Sequence, residues 1–294
     1  MSSSPSLGAV FPPWYPPELL RPAAQAAEES GVPQLWLWED CFKESGMAAA
    51  AAVLGWTERL QVAVGLFPVP LRNVALLAME TATLDRLFPG RFRPVVGHGV
   101  QSWMGQVGAR AESPLTLLRE HIVALDRLLA GEEVTVSGRY VALDAVRLDW
   151  PPQQPLRVWG GGTGPRTLSM LGEVAAGVLI DSGNSPASLR EVLDVVDEGV
   201  RISGRTDRPE IPVFVHAVRG ERAAERLAAD LGGPTGDADT ERGLAGSAED
   251  IAAGVARYRA AGATSVVLRP LEDEPDIVGW MRWIGEEVRP LVEA

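Results

Sequence analysis

The chain alternates short apolar runs rich in β-branched residues with longer segments of Ala, Leu, Glu and Arg that have helical spacing. This alternation constrains the fold more than any other feature, because repeated strand–helix units predict a parallel sheet covered by helices. The apolar runs predict eight strands, namely Leu7–Phe11, Gln34–Trp38, Gln61–Leu66, Arg93–Gly97, Leu156–Trp159, Gly177–Ile180, Val213–Ala217 and Ser265–Leu268. Eight strands in 294 residues without a linker favour one (β/α)₈ barrel domain spanning residues 1–294. The alternative, an open doubly wound sheet, usually has fewer strands.

Amphipathic segments between the strands predict the helices. They are Glu18–Ser30, Asn73–Leu87, Leu115–Leu129, Arg166–Val174, Ser188–Ser203, Glu221–Leu231 and Glu249–Ala261, and the alanine-rich Met47–Leu54, which has little pattern, is predicted as a helix from its propensity. In Leu115–Leu129, Leu118, Ile122 and Leu125 recur at steps of three or four and therefore share one helix face. Gly31 follows the first segment as a predicted C-cap, and Ser247 precedes the last as a predicted N-cap.

Two segments interrupt this alternation. Glu132–Pro155 has β-like runs around a Ser-Gly pair, which predict a hairpin before the fifth strand. Gly232–Gly246 is rich in Gly, Asp and Thr and predicts a mobile loop after the seventh strand. In a barrel this loop faces the mouth, so it is either a substrate lid or a merely solvated connection.

Composition narrows the class of protein. Apolar residues make up 46% of the chain, and the solitary Cys41 can form neither an internal disulfide nor a cysteine-based metal site. The net charge of −12 includes no basic cluster suited to nucleic acid. We see no secretion signal, and no apolar run reaches the ~18 residues of a membrane span. We therefore expect a cytoplasmic protein without a metal, a nucleic-acid partner or a membrane anchor.

Four segments, in collinear order, carry a resemblance to a known family. They are AAEESGVPQLWLWED, VGLFPVPLRNVALLAMETATLDRLFPGRFRPVVGHG, PLRVWGGGTGPRTLSMLGEVAAGVLI and GSAEDIAAGVARYRAAGATSVVLRPL. The second is the most specific, with matches at Ala78, Ala82, Thr83, Leu84, Asp85, Gly90, Arg91, Phe92, Gly97 and Gly99. The chain thus resembles the luciferase-like monooxygenase family of flavin- and F420-dependent oxidoreductases. The resemblance implies an eight-stranded barrel, a cofactor across its C-terminal mouth, and a homodimer.

A glycine-rich turn follows the predicted fifth strand and opens the next helix. Glycine amides and a helix N-terminus together attract an anion, and nearby hydroxyl and guanidinium groups add donors. Since the resemblance places a cofactor phosphate here, we predict binding by Gly160, Gly161, Gly162, Thr163, Gly164 and Arg166. The alternative is a tight turn that needs glycine for backbone reasons alone.

Asp40 ends the second predicted strand in the segment WLWED. Strand alternation sends only one of Glu39 and Asp40 into the mouth, and the family often has Asp or His near the ring at the position of Asp40. A desolvated carboxyl there acts as an acid or a ring anchor, unless it only caps the next loop. Gly65 and Leu66 leave the third strand where the family has a bulge behind the ring, so we predict backbone contacts to the cofactor.

Further candidates lie after the fourth, sixth and eighth strands. His98, beside Gly97, either contacts the ring and carries a proton or is a packing group, and Trp103 is a candidate wall of the substrate pocket. The family commonly has an acidic residue near Trp103, but the stretch GVQSWMGQVG has none. We also predict that Ser182 contacts the ring or phosphate, and that Arg269 holds an acidic substrate or the cofactor tail.

The predicted reaction is hydride transfer between coenzyme F420 and a small-molecule substrate, with the cofactor supplying the chemistry. Asp40, His98 and Trp103 are the catalytic candidates. An FMN-dependent monooxygenase is the first alternative, and a catalytically silent flavin-binding barrel is the second. Lys43 is the chain's one lysine, so we do not expect a phosphorylated sugar held by lysines. The sequence motifs of serine hydrolases, zinc proteases and P-loop NTPases are absent.

Overall fold

The computed structural model describes residues 7–233 and 241–294. Its strands are β1 (Leu7–Phe11), β2 (Gln34–Leu37), β3 (Gln61–Pro68), β4 (Phe92–Gly97), β5 (Val134–Ser137), β6 (Ala142–Val146), β7 (Trp159–Gly161), β8 (Gly177–Leu179), β9 (Pro212–Val218), β10 (Leu244–Ala245) and β11 (Ser265–Arg269). Its α-helices are α1 (Leu20–Ser30), α2 (Gly46–Trp56), α3 (Val74–Leu87), α4 (Gln101–Gln106), α5 (Pro114–Leu129), α6 (Pro165–Val174), α7 (Pro186–Ser203), α8 (Ala223–Asp230), α9 (Ala248–Ala260), α10 (Ile277–Trp283) and α11 (Arg289–Val292).

Nine strands form one parallel sheet in the order β10-β9-β11-β1-β2-β3-β4-β7-β8. The sheet curls, and isolated parallel bridges join β8 and its flanks to the segment that contains β9. There the Val178 N–H donates to the Glu210 carbonyl at 2.7 Å, and the Phe214 N–H donates to the Ile180 carbonyl at 3.0 Å. The predicted α/β class, with a curled parallel sheet inside a layer of helices, is confirmed.

Strand alternation divides the buried apolar side chains into two cores. The inner core has one residue from each of eight strands: Val10, Trp36, Ala63, Val95, Trp159, Leu179, Phe214 and Val267. The larger outer core fills the space between sheet and helices, where Leu35 and Leu37 lie on the opposite side of β2 from Trp36. The interior of the curled sheet is therefore packed solid below its mouth.

The predicted bounds of the fifth strand, Leu156–Trp159, are wrong, since the corresponding strand β7 is Trp159–Gly161. Gly160 and Gly161 pair with Val96 and Gly97 of β4 and belong to the strand rather than to the turn. A Cβ on Gly160 would lie 2.3 Å from Leu171 Cδ2 of α6, so the helix packs directly on the strand backbone. Glycine is needed here so that helix and strand can pack closely. A search for apolar runs does not include glycine, and the strand prediction therefore stopped at Trp159.

The predicted hairpin is present as the antiparallel pair β5–β6. The predicted loop Gly232–Gly246 is partly regular, because Leu244 and Ala245 form β10 against β9. Residues 234–240 lie outside the described residues, so the lid hypothesis stays a prediction. The predicted caps are confirmed: Ser247 forms a capping box with Asp250, and Gly31 ends α1 in the left-handed conformation at φ 86°.

Neither a membrane-spanning helix nor a cluster of metal ligands is present among residues 7–233 and 241–294. No helix there combines the length and apolar character needed to cross a membrane. In the same part of the chain, no three or more His, Cys, Asp or Glu side chains cluster as metal ligands.

His121 makes the stability of the fold depend on pH. Its side chain on α5 is 1% exposed, and burial lowers its pKa to about 4. Below the unfolded pKa of about 6.5, the unfolded chain binds more protons than the folded chain, so stability falls as pH falls.

Replacing His121 with Leu should remove this contribution. From pH 7 to pH 5.5, we expect the wild type to lose about 1 kcal/mol more unfolding free energy than His121→Leu, measured by urea denaturation. His216, whose pKa burial lowers to about 3, is present in both proteins and cancels in the comparison. Parallel pH dependences would show that His121 is not buried as a neutral group.

Candidate active site

A cavity of about 450 Å³ lies at the carboxyl ends of the strands, within the ~300–1,000 Å³ range of ligand pockets. Nine predicted site residues line it, and they are Asp40, Gly65, Leu66, His98, Trp103, Gly161, Gly162, Thr163 and Arg269. Five predicted residues are not among its lining residues, namely Gly97, Gly160, Gly164, Arg166 and Ser182. The fold thus brings together side chains from the ends of β2, β3, β4, β7 and β11.

Glu39 and Asp40 have different surroundings, although both border the cavity. The Glu39 carboxylate accepts hydrogen bonds from both Nη atoms of Arg72 and from the Gly46 N–H, the last at 2.7 Å. These contacts hold the loop after β2 against the segment before α3. Glu39 is therefore a structural residue whose charge is already paired.

The Asp40 carboxyl is electrostatically unlike Glu39. Burial raises the pKa of Asp40, while the positive charges of Lys43 and Arg269 partly oppose this increase. Asp181, another carboxyl of the cavity, adds to it. A half-buried carboxyl with a raised pKa is suited to exchanging a proton with a bound molecule.

His98, at the end of β4, is held by a residue that the sequence did not single out. Its Nε2 lies 3.0 Å from Thr167 Oγ1 in the first turn of α6, and burial lowers its pKa. A Cβ on Gly162 would lie 2.5 Å from Thr167 Cγ2, so the glycine gives Thr167 its place. Thr167 lies two residues after the first residue of α6, which follows the glycine turn. This position could have identified its hydroxyl as a site candidate from the sequence.

Leu66 forms an apolar platform beneath the cavity. The pairing of β3 with β4 shifts between Gly65 and Phe67, and the peptide bond between Gly65 and Leu66 is cis. A Cβ on Gly97 would lie 2.5 Å from Leu66 Cδ2, and one on Gly161 would lie 3.0 Å from the same atom. These glycines therefore admit the Leu66 side chain, and Gly97 contributes space rather than a cavity-facing group.

The N-terminus of α6 lies beside this platform. Its N-cap residue, Gly164, makes no side-chain cap hydrogen bond, and a Cβ added there would meet no atom within 4 Å. Five other helices begin with a side-chain cap, as with Ser45 on α2 and Asn73 on α3, whereas α1, α4, α5, α8 and α11 lack one as α6 does. The exposed first turn of α6 thus presents backbone N–H groups to an open space.

Aromatic residues missed as site candidates form much of the cavity wall. Trp38 and Phe214 both border it, with their ring centroids 5.7 Å apart. Phe214 belongs to the inner core, and Trp38 lies two residues after Trp36 of that core. The alternation of side chains along these strands could therefore have predicted that both point inward. Arg269, two residues after Val267 on β11, reaches the mouth by the same rule.

A more open cleft of about 700 Å³ lies away from the mouth, beside Arg219, Glu274 and Trp283. Arg219 and Glu274 form an ion pair of 3.3 Å across it. The cleft holds no predicted site residue, and both of its arginines, Arg219 and Arg226, are engaged in ion pairs. We therefore assign the chemistry to the smaller cavity.

Exchanging the two neighbouring carboxyls for amides should separate their roles. Glu39→Gln weakens a buried ion pair and should lower the unfolding free energy by about 3 kcal/mol. Asp40→Asn should cause no loss at pH 7, because a carboxyl with a raised folded pKa destabilises the folded state when it is ionised. Chemical denaturation of the two variants and the wild type measures both effects, and equal losses would contradict the assignment.

Comparison with known proteins agrees with this geometry. The luciferase-like monooxygenase family model matches residues 15–234. The 5,10-methylenetetrahydromethanopterin reductase of Methanolobus tindarius is 27% identical over 213 residues, which cover 72% of this chain and 64% of that protein. An F420-dependent glucose-6-phosphate dehydrogenase of Microbacterium testaceum is 27% identical over 180 residues, covering 59% and 53% respectively. The chain therefore spans less than two thirds of the length of these curated relatives.

Solved structures share the fold across nearly the whole chain. The F420-dependent tetrahydromethanopterin reductase of Methanopyrus kandleri superposes with a TM-score of 0.81 at 20% identity, covering 97% of this chain and 98% of that one. An FMN-bound oxygenating constituent of 3,6-diketocamphane monooxygenase from Pseudomonas putida gives 0.78 at 16% identity, covering 98% of both chains. The expectation of an enzyme is confirmed at the level of the family. The family model covers most of the chain and agrees with the resemblance of its segments, so this chain belongs to the luciferase-like monooxygenase family.

Proposed function

We propose that the protein is an F420-dependent oxidoreductase that transfers a hydride between the deazaflavin and a small organic substrate in the cavity at the strand ends. The observation that carries this proposal is an apolar platform beside a helix N-terminus without a side-chain cap, at the mouth of the curled sheet. We further propose that the sheet is a closed (β/α)₈ barrel, supported by the hydrogen bonds between β8 and the segment of β9.

The residues present fit a cofactor with a flat ring and an anionic tail. Leu66, Leu179 and Phe214 supply apolar surface for a ring, while the first turn of α6 supplies N–H donors for a phosphate. When bound, a deazaflavin supplies hydride transfer, whereas a flavin also supports monooxygenation with oxygen. We favour F420 because the curated relatives at 26–27% identity include F420-dependent dehydrogenases. The luciferase-like family also includes FMN enzymes, so an FMN-dependent monooxygenase is the alternative.

Three side chains have proposed roles in the reaction. Asp40, with its raised pKa, exchanges a proton with the substrate. His98, kept largely neutral by burial and held by Thr167, orients a polar atom of the ring or substrate. Trp103, on α4, closes one side of the cavity and excludes water. The acid that relatives commonly have near Trp103 is absent, so Asp40 is the group that takes its part.

Cofactor titration tests the function. The purified protein should bind F420 stoichiometrically and more tightly than FMN, as measured by equilibrium dialysis with absorption spectra. Gly164→Val fills the open space over the first turn of α6 and should weaken F420 binding roughly ten- to hundred-fold. Gly55→Val is a matched control, since a Cβ there also meets no atom within 4 Å but lies at the far end of α2.

The outcomes of this titration separate the alternatives. Tight FMN binding without affinity for F420 would replace the proposal with the monooxygenase. Binding of neither cofactor would contradict both assignments. Equal effects of the two valine substitutions would move the phosphate away from α6.

The proposed role of Asp40 predicts a loss of turnover without a loss of cofactor. Asp40→Asn should lower kcat by roughly 10²–10⁴-fold, leave the F420 dissociation constant unchanged, and remove one limb of the pH–rate profile. Glu44→Gln is the matched control, because burial also raises the pKa of Glu44 on the same loop, outside the cavity. A variant with wild-type kcat would assign the proton transfer to His98 or favour a catalytically silent barrel.

We also propose a homodimer, joined through an apolar stripe on α3. Leu76, Met79 and Leu87 share one face of this helix and are 47%, 58% and 65% exposed. The stripe is uncharged in a chain of net charge −12, so two copies meet there with little repulsion. Sedimentation at the mass of one 31.4 kDa chain would contradict this arrangement.

A further inference from the structure

Arg269 at the mouth is held by aromatic rings. Its guanidinium carbon lies 4.8 Å from the ring centroid of Trp38 and 5.6 Å from that of Trp14. The two indoles pack edge to face at 5.7 Å. Its Nη1 donates to Ser182 Oγ at 2.9 Å. Arg269 is therefore oriented in advance at the wall of the cavity that it lines.

This cation has no ion-pair partner among residues 7–233 and 241–294. The carboxyls of Asp181, Asp230 and Asp40 favour the charged form of Arg269, but none of them forms an ion pair with it. The Asp181 Oδ1 accepts the Ser182 N–H at 2.8 Å on its own loop. Asp230 lies nearer to His216, with its Oδ2 3.5 Å from Nε2. The Nε of Arg269 is excluded from solvent and has no hydrogen-bond acceptor in the described structure.

Burying a charge without an ion-pair partner destabilises the folded protein. Such a charge is therefore expected where a function, such as binding an anion, requires it. Burial lowers the pKa of Arg269, although a guanidinium stays protonated at neutral pH. By contrast, Arg72, at a similar depth, is paired with Glu39. The charge of Arg269 is therefore available to a bound anion.

The surroundings restrict which anion fits. Trp38, Phe214 and Leu66 give the cavity apolar walls, which favour an organic body. Asp40 and Asp181 line the same cavity and repel a second negative charge. A planar carboxylate matches the guanidinium in shape and in hydrogen bonding.

We propose that Arg269 anchors the carboxylate of a singly charged, apolar or aromatic substrate in this cavity. The inference rests on the proposed function, because it assigns the substrate class of the same site. The cofactor's tail also carries anionic groups, so the experiment must distinguish the two sources of the anion.

The test uses phenylacetate and its neutral amide, phenylacetamide, as probes, with binding followed by ligand-observed NMR on the cofactor-free full-length protein. Phenylacetate should bind and the amide should bind at least tenfold more weakly. Arg269→Gln should remove this preference, whereas Arg269→Lys should retain part of it. Arg86→Gln is the matched control, since Arg86 also stacks on an indole, that of Trp150, but lies outside the cavity.

A stability measurement and an F420 titration complete the test. Arg269→Gln should unfold at a temperature no lower than the wild type, because it removes an unpaired buried charge, and its affinity for F420 should be unchanged. A large loss of stability would mean that the protein itself satisfies the charge, and a parallel loss of F420 affinity would assign Arg269 to the cofactor tail. Either result overturns the inference, as does equal binding of the two probes. Failure of F420 and FMN to bind would instead remove the proposed function, whatever the probes do.

Discussion

The alternation of side chains along parallel strands is the constraint on which the structure of the site depends. On β2, Leu35 and Leu37 face the helices, while Trp36 fills the interior of the curled sheet. Continuing the alternation past the strand brings Trp38 to the cavity wall and Asp40 to the mouth. The same rule raises Arg269 above Val267 on β11. A packed interior thus forms the base beneath a polar rim.

Glycine sets how closely the remaining parts approach one another. Leu66 lies where a Cβ on Gly97 or Gly161 would stand, and α6 packs where a Cβ on Gly160 would stand. The helix N-terminus is thereby brought beside the apolar platform. The apolar surface of Leu66 and the first-turn amides of α6 are neighbours because glycine removes the side chains that would separate them.

Charge at the mouth is unevenly compensated. Glu39 and Arg72 neutralise each other and stabilise the loop after β2. Asp40 and Arg269 both line the cavity, where burial raises the pKa of Asp40 and lowers the pKa of Arg269. Both shifts favour the neutral form of the group. Because Asp40 and Arg269 do not form an ion pair, both remain free to interact with a substrate. Glu39 and Arg72 already neutralise each other and do not.

Eight strands of the parallel sheet, eight of the helices, the hairpin, two helix caps and the family could be predicted from the sequence, because period-2 and period-3.6 patterns and Gly/Ser caps are local signals. The short elements β10, α4, α10 and α11 were not predicted. Alternation predicted that only one of Glu39 and Asp40 would reach the mouth, but both border the cavity, and the role of Asp40 stays a prediction. Three features depend on tertiary packing: the bounds of β7, the contact of Thr167 with His98, and the position of Gly97 beneath Leu66. Each is fixed by atoms that are distant in sequence, as when Leu171 of α6 closes on Gly160. The unpaired state of Arg269 was likewise decided by the fold, since only the spatial arrangement of the neighbouring carboxylates determines whether a cation has a partner.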